Sequence, residues 1–209
     1  MVKNMDKFKT IKINATADFI EKKSEFIGHA YPAQSEAEAL AILEAVRINH
    51  AKATHNAFAY IIDPVIKYAK ANDDGEPSGT AGMPILECLR KESLVNVIVV
   101  VTRYYGGIML GGGGLTRAYG RAAREAVVAA GIAEMLLHQQ FQITVPYHLS
   151  GKVQYEILGA GHIIEAADYA ENVAFTVIIK NDDADGFRTK ITDMTAAAAI
   201  FGEINFVYR

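Results

Sequence analysis

Two glycine-rich stretches hold most of the residues able to do chemistry. The first, Asp73-Asp74-Gly75-Glu76-Pro77-Ser78-Gly79-Thr80, places three carboxylates within four residues. Carboxylates so close can hold Mg²⁺ or divide acid and base roles. The spacing fails the EF-hand pattern, which needs oxygen ligands at alternate positions ahead of its glycine. The bland alternative is a turn held by Asx-type hydrogen bonds, and it is the preferred reading of Asp73, Asp74 and Glu76. His55, at the start of a predicted strand, joins them as a catalytic candidate, although a lone His there is more often paired to backbone.

The second stretch runs from Thr102 through Arg103, Tyr104 and Tyr105 to Gly111, Gly112, Gly113 and Gly114, and on to Arg117. Four glycines at a helix start leave backbone N–H groups uncovered, and the helix dipole favours an anion there. Arg117, Arg121 and Arg124 recur at i, i+4 and i+7, which places them on one face opposite Leu115, Ala118, Ala122, Ala126 and Ala130. No acidic residue lies between Glu92 and Glu125, so these arginines are expected to lack local partners. The chemistry that fits is phosphate contact, set against a plain solvated face. Tyr104 and Tyr105 are the adjacent pair that could stack on bases; core packing is the commoner use of such residues. A Walker A loop is excluded for want of its lysine, and a Rossmann fingerprint because Thr116 or Arg117 stands where its third glycine belongs. Histidines lack zinc-motif spacing, and neither metal nor cofactor is expected. Cys88, among Ile85, Leu86 and Leu89, reads as a small core side chain.

The elements that position these loops follow from periodicity. Extended segments are expected at Lys9–Ile13 and Glu25–Ala30. Ser35 and Glu38 have capping-box spacing and open a helix to about Asn49, with Leu40, Leu43 and Val46 recurring on one side. Asn56–Ile62 and Val65–Ala71 read as a hairpin, followed by a helix to about Lys91 that tolerates Pro84 only in its first turn. Val95–Val101 is a β-branched run expected as a buried central strand. A long helix from about Leu115 to Ala130 stops at Gly131. Beyond it the order is strand, helix, strand, strand, helix, strand, which is the ferredoxin-like βαββαβ pattern.

The chain of 209 residues suits two small domains, and the boundary is placed so that they span 1–134 and 135–209. Hydrophobic residues make up 51% and charged residues 22%, a globular composition. The net charge of −3 argues against a generic polycation. Residues 1–134 carry 16 Lys+Arg against 15 Asp+Glu, and residues 135–209 carry 5 against 9, so phosphate contact is assigned to the first part. A single cysteine excludes an internal disulfide and fits a reducing compartment. No apolar segment suits a signal peptide or a membrane span, and a soluble, cytoplasmic protein is expected. No feature fixes an oligomeric state.

Several segments together resemble the YigZ/IMPACT family: Lys23-Ser24-Glu25-Phe26-Ile27, Thr54-His55-Asn56, Asn72 to Gly82, Val101 to Gly107, and Arg117-Ala118-Tyr119-Gly120. The likeness covers roughly residues 15–131; the part beyond 135 is similar to the small C-terminal domain of bacterial members in organisation more than in motif. The resemblance implies an α/β (α+β) protein whose N-terminal domain is like domain IV of elongation factor G and whose C-terminal domain is like domain V. Eukaryotic relatives add a separate N-terminal domain and act in translational control through a stress-kinase pathway; this chain does not carry that domain. Many relatives have Cys after His-Asn or His-His, whereas this chain has Ala57, so a thiol mechanism is not open at that place. The resemblance implies translation-associated binding of RNA or ribosomal components without catalysis. The alternative is a small hydrolase or transferase acting between the two loops on a phosphorylated or peptide substrate.

Overall fold

The computed structural model describes residues 5–209, which cluster into two compact units, one ending at Glu134 and the other spanning Met135–Arg209. In the first unit β1 (Lys7–Ile11), β2 (Ala15–Glu21) and β3 (Ser24–Pro32) precede α1 (Glu36–Asn49). There follow β4 (His55–Ile62), β5 (Tyr68–Asn72), α2 (Gly82–Lys91), β6 (Val97–Tyr104) and α3 (Gly112–Ala130). Five strands form an antiparallel sheet in the order β2-β3-β6-β4-β5. The β-branched run therefore occupies the central position expected of it, extended to Tyr104. Strand β2 has no counterpart in the sequence reading: Ala15–Glu21 alternates too weakly, and it pairs through the tight Lys22-Lys23 turn, where both residues have positive φ.

Side chains alternate across the sheet, so each strand serves two cores. Phe58, Tyr60, Ile62, Ile98 and Val100 face α1 and pack on its Ala39, Leu43 and Val46. Leu40, predicted on that stripe with Leu43 and Val46, is 40% exposed, because the buried side runs from Leu43 back to Ala39, four residues earlier, and not three. The capping box also forms in altered shape: Ser35 Oγ accepts from Glu38 N at 3.2 Å, but Glu38 Oε2 accepts from Gln34 N, one residue before the cap. The opposite face carries α3, whose Leu115, Ala118, Ala122, Ala126 and Ala130 are buried as their spacing predicts. Helix α3 starts three residues earlier than expected, so Gly112, Gly113 and Gly114 form its first turn and Gly131 closes it at φ 66°. Cys88 is a correction of another kind: it is half-buried beside the α2–α3 groove, and burial, then Glu92, raises its thiol above the ordinary value.

The second unit contains most of β7 (Ile132–Pro146), then α4 (Tyr147–Gly159), β8 (Ile163–Tyr169), β9 (Asn172–Lys180), α5 (Asn181–Met194), β10 (Ile200–Phe201) and β11 (Asn205–Tyr208). β7 pairs antiparallel with β9 on one side and with β10 and β11 on the other, and β9 pairs with β8. The unit is thus a ferredoxin-like βαββαβ sheet whose last strand is split in two at Gly202-Glu203-Ile204. Val153 and Ile157 of α4 and Ala184, Phe187 and Ile191 of α5 pack with Phe141, Ile143, Phe175 and Val177 in one apolar cluster. Burying each such large side chain is worth about 1.5–3 kcal/mol. No helix among the described residues is long and apolar enough to cross a membrane.

Candidate functional site

The sheet register brings the two loops of the first unit together. Arg103, near the end of β6, lies opposite Phe26 of β3 and His55 of β4, all on the α3 side of the sheet. Its Nη1 donates to Glu76 Oε1 at 2.7 Å and its Nη2 to Ser24 Oγ at 3.3 Å. Tyr119 of α3 donates its hydroxyl to the same Glu76 oxygen at 2.8 Å. The ion pair is out of water, with side-chain exposures of 6% for Arg103 and 3% for Glu76. Aromatic faces complete the enclosure: the guanidinium carbon lies 5.4 Å from the Phe26 ring and 5.2 Å from the Tyr105 ring. Arg103 Nε is buried without a hydrogen-bond partner. Burial, followed by the bond to Glu76, raises the Tyr119 hydroxyl far above its usual range, so it remains a donor.

The acidic loop divides its carboxylates between support and site. Asp73 accepts from the backbone N–H groups of Gly79, Ala81 and Gly82 at 2.8–2.9 Å. Partial burial works to raise the Asp73 carboxyl, but these donors outweigh it and hold the group below its ordinary value. Asp74 accepts from Asn56 N and from Arg47 Nη2, each at 2.7 Å. Both aspartates are therefore bonded within and around the loop, and Glu76 is the one of the three that is buried. His55 Nδ1 lies 2.7 Å from the Asp74 carbonyl oxygen. A carbonyl can only accept, so Nδ1 carries a hydrogen, and in the neutral ring Nε2 is left as an acceptor 3.9 Å from Glu76 Oε1.

These groups line a cavity of about 420 Å³, walled by His55, Glu76, Arg103, Tyr105 and the Met109–Gly112 turn. Ahead of that turn the backbone passes close to the β2–β3 connection: a Cβ on Gly106 would fall 1.9 Å from the Lys23 carbonyl oxygen. Tyr104 belongs elsewhere, since alternation turns it to the α1 face, where its hydroxyl lies 3.0 Å from His50 Nδ1. Tyr104 and Tyr105 therefore do not form the joint stacking platform that their adjacency offered. Arg103 is likewise not a surface cation but the buried partner of Glu76.

The three arginines of α3 stay exposed, but their surroundings differ from expectation. Arg121 pairs with Glu125 at 2.7 Å and lies 4.0 Å over the Phe19 ring. Glu87 and Glu92 of α2 line the same groove as Arg117, Arg121 and Arg124. A stretch free of acids along the chain is thus not free of them in space. Among the described residues no ion pair engages Arg117 or Arg124. Lys22, in the β2–β3 turn, lines a second groove with Arg117 and Arg121, and sequence reasoning passed over it because the turn itself was not foreseen. Ser24, Arg47 and Tyr119 were also missed as site-builders; they reach the loops from β3, α1 and α3, segments distant along the chain. Among the described residues no group of three or more His, Cys, Asp or Glu side chains is arranged to hold a metal.

Comparison with known proteins agrees with this division. The Impact N-terminal domain matches residues 22–127, and a domain of unknown function, DUF1949, matches residues 143–198. The chain is 36% identical to the IMPACT family member YvyE of Bacillus subtilis, over 95% of this chain and 92% of that one. It is 32% identical to the IMPACT family member YigZ of Escherichia coli, over 83% and 86% of the two chains. Similarity to the human Protein IMPACT, 35% identical, covers 44% of this chain and 29% of that protein. A crystal structure described as that of a hypothetical protein superposes with a TM-score of 0.66 at 27% identity, covering 97% of this chain and 99% of the other. With both domain matches in chain order and a relative aligned over nearly its whole length, the chain belongs to the IMPACT family.

Proposed function

We propose that this chain works in translation as a binding module, and that it contacts RNA or an RNA-bearing ribosomal component through the exposed cationic face of α3. The observation that carries the reading is the arrangement of Arg117, Arg121 and Arg124 on one solvent-facing side of the helix, with Lys22 beside the first two. Arg117 and Arg124 have no ion pair among the described residues, so forming a phosphate contact there breaks no existing bridge. The association with translation rests on the family, and the RNA contact on these side chains.

The competing hydrolase or transferase reading draws on the convergence of His55, Glu76 and Arg103 on one cavity. The hydroxyls beside it are already committed: Thr54 Oγ1 accepts from Tyr105 N at 3.0 Å, and Thr80 Oγ1 donates to the Pro77 carbonyl at 2.6 Å. A cavity built this way holds a ligand more readily than it supplies a nucleophile. The test is recovery of the full chain from cell extract with ribosomal particles, before and after nuclease. Association abolished by nuclease supports RNA contact; association with neither RNA nor particles would overturn it.

A further inference from the structure

The first turn of α3 contains glycines that the fold itself does not require. Gly111 has φ 74°, a conformation that L side chains rarely adopt, and a Cβ on Gly114 would meet Leu110 Cβ at 2.9 Å. Gly112 and Gly113 are different. A Cβ on Gly112 finds nothing nearer than Thr80 Cγ2 at 3.9 Å, and one on Gly113 only Arg117 Nη1 at 3.6 Å. The helix interior also disfavours glycine by about 1 kcal/mol relative to alanine. Bare backbone at both positions leaves the helix start open to close approach from outside.

What lies open is a set of donors. The first hydrogen bond onto the helix runs from Leu115 N to the Gly111 carbonyl, so the N–H groups of Gly112, Gly113 and Gly114 have no partner within the helix. No side chain caps them, and the first turn contains no acid. Gly111 and Gly112 border the cavity that also holds His55, Glu76 and Arg103. There the Arg103 charge is cancelled by Glu76, leaving the helix dipole as the uncompensated field. Such a field suits a single negative charge better than a double one. His55 lines the same cavity, and in the neutral ring its Nε2 is the acceptor, since Nδ1 donates to the Asp74 carbonyl. Tyr105, Met109 and Leu115 supply apolar wall, with Met109 84% exposed. A cavity of about 420 Å³ is of the size used for small ligands.

We infer that this cavity is a binding site for a small organic acid: a carboxylate at the start of α3, an adjacent O–H or N–H donor on His55 Nε2, and an apolar body against Tyr105 and Met109. The site is separate from the arginine face and stands whether or not that face meets RNA.

The test uses the full chain, isotope-labelled, followed by backbone amide and histidine ¹⁵N spectra. The probes are mandelate (a 2-hydroxy acid), phenylacetate (the same body without the hydroxyl) and inorganic phosphate. The expected result is saturable shifts at Gly112–Gly114 and at the His55 ring, with mandelate tightest, phenylacetate about tenfold weaker and phosphate weakest. Gly112→Val, whose Cβ would meet nothing nearer than Thr80 Cγ2 at 3.9 Å, should weaken mandelate about tenfold or more while distant amides keep their positions. His55→Leu should erase the preference for mandelate over phenylacetate, and Tyr155→Ala, at an exposed position of the second unit, should leave mandelate affinity unaltered. No saturable shift at these amides, equal affinity for the two acids, or unaltered mandelate binding by a folded Gly112→Val variant would each overturn the inference. Phosphate binding most tightly would also overturn it, by returning the helix start to the RNA backbone.

Discussion

In the first unit Arg103, Glu76, Ser24, His29, Asn56 and Thr102 are taken out of water, whereas in the second unit the buried polar side chains are His138, Gln139 and Thr195, which lie outside its aliphatic and phenylalanine core cluster. The polar groups of the first unit are wired to one another. Thr102 Oγ1 donates to Asn56 Oδ1 at 2.7 Å and lies 3.2 Å from His29 Nε2, while Glu76 gathers both Arg103 and Tyr119. Buried polar networks of this kind contribute less to stability than an apolar filling but hold side chains in one geometry. The proposed function places ligand contact in the first unit, where this polar network sits.

The sharpest way to break that contrast is to cut each interior at one point. Arg103→Ala leaves the Glu76 carboxylate buried without its cation and should cost about 3–5 kcal/mol in chemical denaturation. The double change Arg103→Met with Glu76→Gln should recover a large part of that loss, because it removes both charges together. In the second unit Phe175→Ala should cost about 3–5 kcal/mol through its cavity alone, with no rescue by a charge-neutral partner change. Residues 135–209 expressed alone should give a cooperative melt, since their apolar cluster is complete without the first unit.

A smaller effect is a dependence on pH: burial lowers His162 in the second unit and lowers His29 in the first. Burial, then the neighbouring His50, lowers His29 from its ordinary 6.5 to about 4. The folded state therefore holds His29 neutral where the unfolded state is already protonated. Stability falls as pH drops from about 6.5 towards 4, by about 2–3 kcal/mol from this group, and is not reduced by it at neutral pH. His29→Gln should flatten that part of the stability–pH curve for the first unit, measured by denaturant titration at pH 7, 5.5 and 4.5 against wild type. A slope that survives the substitution would assign the acid sensitivity to other groups. The smallest effect is expected at Arg117→Ala, within about 0.5 kcal/mol, because the side chain is exposed and has no ion pair among the described residues.

The strong periodic signals were legible in the sequence: the β-branched strand at the centre of the first sheet, the buried alanine stripe of α3 and the order of elements in the second unit. What the sequence hid was set by pairing between distant segments. Arg103 read as a surface cation because nothing along the chain shows that β6 delivers it opposite Phe26 and His55, with Glu76 arriving from a loop. The preferred reading of Asp73 and Asp74 as turn-forming carboxylates agrees with their bonds, but their particular donors, up to 18 positions away, were not legible along the chain. The arginine stripe was visible from its spacing, but Glu87 and Glu92 reach its groove from another helix.

The central claim is that the arginine face meets phosphate, and salt dependence addresses it most directly. RNA affinity would be measured at three or more salt concentrations for the wild type and for the double variant Arg117→Ala, Arg121→Ala. Loss of two phosphate contacts should weaken binding across RNA sequences and flatten the plot of log affinity against log salt by about 1.4–1.8 units. Stability should fall by no more than about 1 kcal/mol, the loss being the exposed Arg121–Glu125 pair and its stacking on Phe19. An unchanged slope in a folded double variant would contradict the account, leaving the face solvated and the cavity as the functional centre of the molecule.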